Sequence, residues 1–130
     1  MEMKLMKTYE AVKLYNAICT EIKSTDLIDE KNLSLDVAEL DAKNSFLYET
    51  VKNDVYIMSI DTIDHIMFKD TMIACRSETE IQDGDDGPFE YIKDGLFIYF
   101  PRVFVKIVKL VTILGLDEEF DVLMDSVLKY

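Results

Sequence analysis

Asp61, Asp64 and His65 form the one cluster that contains the chain's single histidine, and Cys75 follows it in a strand-like run. An imidazole next to a thiol can serve as base to a nucleophile. A hairpin joining these two segments would bring His65 and Cys75 together. Nothing in the local sequence activates the thiol, so the chemistry expected of the pair is slight. In a strand, Asp64 and His65 face opposite sides, which leaves His65 a structural role. One histidine cannot make a multi-histidine metal centre, and Cys19 and Cys75 lack the CxxC spacing of a thiolate site. Both cysteines are read as small buried hydrophobes.

Asp83, Asp85, Asp86 and Glu90 invite a calcium reading. An EF-hand loop needs oxygen ligands at its first, third and fifth positions, glycine at the sixth and glutamate at the twelfth. Counted from Asp83, the fifth position is Gly87, the sixth Pro88 and the twelfth Asp94. The pattern fails, and the run is read as a solvated loop. The four glycines, Gly84, Gly87, Gly95 and Gly115, fall at turns or a helix end and make no phosphate loop. Carboxylates are so abundant that no single pair points to acid–base catalysis. The residues therefore predict neither an enzyme nor a cofactor.

The strongest signal is charge. The 130 residues hold 26 acids against 14 bases, a net charge of -12. Such a balance repels phosphate and excludes direct nucleic-acid binding; it also disfavours an anionic membrane surface. The acids are unevenly placed. Residues 26–65 carry -7 and residues 66–100 carry -5, while residues 101–116 hold no acid and three bases. The basic stripe Arg102, Lys106 and Lys109 is expected to pair with Glu118, Asp121 and Asp125 of the last helix.

These groups must be positioned by an α+β fold. Residues 3–23 read as a helix, with Leu5, Tyr9, Val12, Ile18, Cys19 and Ile22 on its apolar stripe. Ser24-Thr25-Asp26 reads as its stop. Residues 26–54 are ambiguous: 32–37 alternate like a strand, 37–42 suit a helical turn, and 46–51 carry strand-forming side chains before a turn at Asn53-Asp54. Residues 55–60 read as a strand. Segments 65–68 and 72–75 read as a hairpin about Lys69-Asp70-Thr71. The Asp94-Gly95 pair predicts a second hairpin between 89–92 and 96–100. Strand 96–100 is apolar on both faces, so it is expected either to be buried entirely within the monomer or to pack one face inside and offer the other to a partner or second copy. Pro101 opens a helix that ends at Gly115, and Asp117 opens the last one, with Phe120, Leu123, Met124, Val127 and Leu128 on its buried stripe. The expectation is a single α+β domain over 1–130. An antiparallel sheet of about four to six strands packs on the N-terminal helix and a C-terminal helix pair.

The N-terminal residues lack the continuous apolar segment of a secretory signal, and the cysteines make no disulfide framework, which points to a reducing cytoplasm. Lysine outnumbers arginine 12 to 2, a usage that suits an AT-rich viral, phage or bacterial genome. The expected function is that of an acidic, non-enzymatic inhibitor that binds a basic, nucleic-acid-handling protein, in the manner of a toxin-immunity protein or a phage or viral antagonist. The acids expected to bind are Asp26, Asp29, Glu30, Asp36, Glu39 and Asp41, with the loop acids Asp83, Asp85 and Asp86. The alternative is a homo-oligomeric structural or adaptor module, such as a homodimer built on strand 96–100 and helix 102–114.

Overall fold

The computed structural model describes residues 2–29, 37–76, 91–93 and 95–128. Four helices and a five-stranded antiparallel sheet make up these residues, which establishes the α+β class. The helices are α1 (Glu2–Glu21), α2 (Val37–Asp54), α3 (Pro101–Ile113) and α4 (Asp117–Leu128). The strands are β1 (Val55–Ile60), β2 (Ile63–Phe68), β3 (Thr71–Arg76), β4 (Tyr91–Lys93) and β5 (Leu96–Ile98), in the spatial order β1-β2-β3-β5-β4. Among the described residues, no helix is long and apolar enough to cross a membrane. The chain divides into two compact units. One joins Met1–Asn53 to Lys106–Asp117, and the other joins Asp54–Val105 to Glu118–Tyr130.

The first unit is helical. Its core collects Val12, Tyr15, Ile18 and Cys19 from α1, Leu40, Leu47 and Val51 from α2, and Ile107 and Leu110 from α3, with Leu114 just past the end of α3. Val12, Ile18 and Cys19 are buried as expected and Ile22 is half-buried, but toward the N-terminal end the stripe runs through Thr8, Ala11 and Tyr15 rather than through Tyr9. Tyr9 is consequently exposed, with the Lys13 ammonium 5.8 Å from its ring centroid. Lys23 takes φ 62° just past α1; its N–H donates to the Thr20 carbonyl, and the Ser24 N–H donates to that of Cys19. This is a Schellman end. Gly115 repeats it after α3, at φ 75°, with Leu116 N–H donating to the Val111 carbonyl.

Residues 46–51 are helical, not a strand, and Asn53-Asp54 closes α2 rather than making a turn. In a strand Glu49 would share a face with Leu47 and Val51. In the helix it points to solvent while Leu40, Leu47 and Val51, seven and four residues apart, are buried together. The alternating run 32–37 reaches the described residues only at Val37, where α2 begins, and the loop 82–88 lies outside them.

The second unit carries the sheet. The β1–β2 hairpin turns on Asp61 and Thr62, both at positive φ, with Ile60 opposite Ile63. Two central residues of that conformation match the twist of the strands. The β2–β3 hairpin turns on Lys69-Asp70, between Phe68 and Thr71. Asp54 and Tyr56 hold this turn: the Lys69 N–H donates to the Asp54 carbonyl at 2.8 Å, and Tyr56 Oη donates to the Lys69 carbonyl at 2.5 Å. The β4–β5 hairpin forms where the Asp-Gly pair predicts it, with Lys93 opposite Leu96 and Gly95 at φ 85°. Leu128 of α4 lies over Gly95, where an added Cβ would meet its Cδ2 at 3.4 Å. On α4, Phe120 and Val127 are buried while Leu123, Met124 and Leu128 are half-buried. The Phe120 ring lies 6.0 Å from that of Phe104.

The register puts His65, Cys75 and Phe97 on one rung of the sheet and Ile66, Ala74 and Ile98 on the next. Cross-strand partners share a face, so these rungs line opposite faces. All six residues are buried. Leu96, Phe97 and Ile98 are thus covered on both sides within the chain, and the strand offers no free apolar face to a second copy.

Candidate functional site

Four of the acids expected to bind a partner fall within the first unit and are exposed: Asp26, Asp29, Glu39 and Asp41. Glu30, Asp36, Asp83, Asp85 and Asp86 lie outside the described residues. Asp26 and Asp29 sit on the segment that leaves α1. Asn16 fixes that segment by a two-way amide clamp. Its Nδ2 donates to the Ile28 carbonyl at 2.6 Å, and the Ile28 N–H donates to its Oδ1 at 2.8 Å. The side-chain amide thereby satisfies both backbone groups of Ile28, as a neighbouring strand would. Ser24 Oγ accepts from the Asp26 N–H at 3.2 Å, which steadies the turn before it. Leu27 lies between the two acids and is 53% exposed.

An open groove of ≈ 790 Å³ runs beside this segment. Leu27, Ile28 and Asp29 form part of its wall, with Lys13, Glu21 and Lys106 among the other lining residues. Its charges are mixed. Lys106 donates to Glu21 at 2.9 Å. The acid that takes Lys106 is therefore Glu21 of α1 and not one of the acids expected from the last helix. Exposed pairs of this type contribute about 0–1 kcal/mol, so the pair orients the wall more than it stabilises the unit.

Glu39 and Asp41 lie in the first two turns of α2, where carboxylates oppose the positive end of the helix dipole. The exposed face of the same helix also carries Phe46, 61% accessible, with Glu49 three residues on. Phe46 is not legible as a surface residue, because 46–51 carry strand-forming side chains within a segment that the sequence leaves ambiguous.

The second unit holds the other candidate cluster. His65, Cys75 and Tyr99 converge on one face of the sheet, and the His65 ring stacks on Tyr99 with centroids 6.1 Å apart and planes 11° from parallel. His65 is only 5% exposed, and its Nδ1 lies 2.9 Å from the Ile63 carbonyl. A carbonyl only accepts, so Nδ1 carries the proton and Nε2 of the neutral ring is an acceptor. Tyr99 Oη, 3.4 Å from Nε2, donates to it. Its oxygen lies 3.7 Å from Cys75 Sγ and can take the thiol proton in turn. The hydrogen bonds thus run in one direction from thiol to phenol to imidazole to carbonyl. Tyr99 is the member the sequence reading missed. The β3–β5 register puts it there, with Phe97 opposite Cys75 and Tyr99 two residues on along the same face, and no local sequence signal gives that register.

This geometry is that of a structural polar cluster. Cys75 is fully buried, Tyr99 is half-buried, and the Tyr99 hydroxyl lies between the thiol and the imidazole. Each group satisfies the next, which is what buried polar atoms require. Asp64, the neighbour of His65, is exposed on the opposite face. Both cysteines are buried and neither forms a disulfide. Among the described residues, no group of three or more histidine, cysteine or acidic side chains is arranged to hold a metal ion. Comparison with protein-family models, with curated proteins and with solved structures finds no match for this chain.

Proposed function

We propose that this chain is an acidic, non-enzymatic inhibitor that docks on a basic, nucleic-acid-handling protein in the cytoplasm. A toxin-immunity protein or a phage or viral antagonist of a host protein acts in this way. The observation that carries the reading is the exposure of Asp26, Asp29, Glu39 and Asp41 on one compact unit, which also exposes Leu27 and Phe46. Acids alone steer an encounter; a desolvated apolar anchor holds it. A net charge of -12 raises the local concentration of a basic partner and repels nucleic acid from the same surface.

The test is capture from extract of the native host, with the wild-type chain beside the variant Asp26→Lys/Asp29→Lys/Glu39→Lys/Asp41→Lys. The wild type is expected to retain a basic, nucleic-acid-binding protein that heparin displaces, and the variant to lose it. Retention of no basic protein, or equal retention by both chains, overturns the proposal.

A further inference from the structure

The one stretch free of acids, residues 101–116, becomes a helix whose solvent face is both basic and apolar. Arg102, Val105, Val108, Lys109 and Thr112 are exposed along α3. Val105 is 50% exposed and Val108 37%. Valine is a poor helix former, so helix propensity does not account for two of them on a solvent face. Among the described residues no ion pair engages Arg102 or Lys109, although the chain carries 26 acids. The stripe therefore presents two unpaired cations around an apolar centre, and its complement is an acidic helix face with an apolar centre.

The exposed face of α2 has that composition: Glu39, Ala42, Phe46 and Glu49. The spacings agree as well. At 1.5 Å per residue, Arg102 and Lys109 stand about 10 Å apart along the axis, and Glu39 and Glu49 about 15 Å. Side chains of this length absorb a mismatch of about 2 Å at each end. In an antiparallel arrangement Glu49 meets Arg102, and Glu39 meets Lys109. Phe46 then lies between Arg102 and Val105, within reach of a cation–π contact, and Ala42 lies on Val108. We infer that the α3 stripe docks the α2 face of a second copy of this chain. The contact is heterologous, since two different patches meet. It stands independently of docking on a basic partner, and because Glu39 and Phe46 belong to both surfaces the partner and the second copy compete.

Sedimentation equilibrium of the purified full chain tests this. The wild type is expected to show a weight-average mass rising with concentration above the 15.1 kDa of one chain. Arg102→Glu/Lys109→Glu and Glu39→Lys/Glu49→Lys, each checked for wild-type circular dichroism, are expected to stay monomeric alone. Mixed in equal amounts they are expected to associate, because each supplies the charge the other has lost. If either reversal disturbs the fold, Phe46→Ser takes its place and is expected to abolish association. A wild type that stays monomeric to millimolar concentration overturns the inference. Undiminished association of any of these variants, or a mixture of the reversals that stays monomeric, overturns it equally.

Discussion

Lys23 and Gly115 occupy the same place in two helix ends, and only one of them is the residue that place favours. Both adopt positive φ, at 62° and 75°. A Cβ in this region costs about 1–2 kcal/mol, partly offset when glycine is ordered. Lys23→Gly is therefore predicted to stabilise the chain by about 0.5–1 kcal/mol. Gly115→Ala is predicted to destabilise it by about 1 kcal/mol through backbone strain alone, since nothing lies within 4 Å of the added Cβ. Urea unfolding of the two variants should move the midpoint in opposite directions. A second prediction concerns Tyr99. Tyr99→Phe keeps the ring stack but removes the hydroxyl between Cys75 and His65, at a predicted cost of about 1 kcal/mol. An unchanged urea midpoint would count against the directed chain of hydrogen bonds. Gly115 was legible in the sequence as a helix stop. Lys23 was not, because nothing in a lysine announces a left-handed backbone. The His65–Cys75 proximity was legible as a hairpin consequence, whereas the phenol between them needed the register of a third strand.

At the scale of elements, the hairpins and the C-terminal helices were legible because turn chemistry and charge spacing are local signals. Asp-Gly fixes a turn, and Arg102, Lys106 and Lys109 share one helical face only if residues 101–113 are helical. Residues 46–51 stay ambiguous in the sequence because β-branched and aromatic types compete with periodicity. The better signal lay in Leu40, Leu47 and Val51 at helical spacing, with Glu49 opposed to them. This makes a direct prediction. Leu47→Ala, at a fully buried position, is predicted to cost about 2–5 kcal/mol, while Phe46→Ala should stay within about 0.5 kcal/mol. Thermal or urea unfolding that reversed this order would contradict the helical assignment. The β1–β2 turn at Asp61-Thr62 shows the opposite limit, because a threonine at positive φ gives no turn signal in the sequence.

At the scale of the whole molecule, the sequence disclosed how much charge there is and in which segments it lies. It could not disclose which acids share a surface, because that depends on the chain returning through α3 to the unit begun by α1 and α2. Four of the expected acids fall within that unit in exposed positions, and the basic stretch that sequence reasoning paired with α4 gives Lys106 to Glu21 instead. The proposed docking field for a basic protein is made by those acids acting together. The most direct test is the association rate with that protein, measured by stopped flow across a range of salt for the wild type and the fourfold lysine variant at positions 26, 29, 39 and 41. The wild-type rate is predicted to fall steeply as salt rises, and the variant to associate at least about tenfold more slowly with a flatter salt dependence. Equal rates with equal salt slopes would contradict the account.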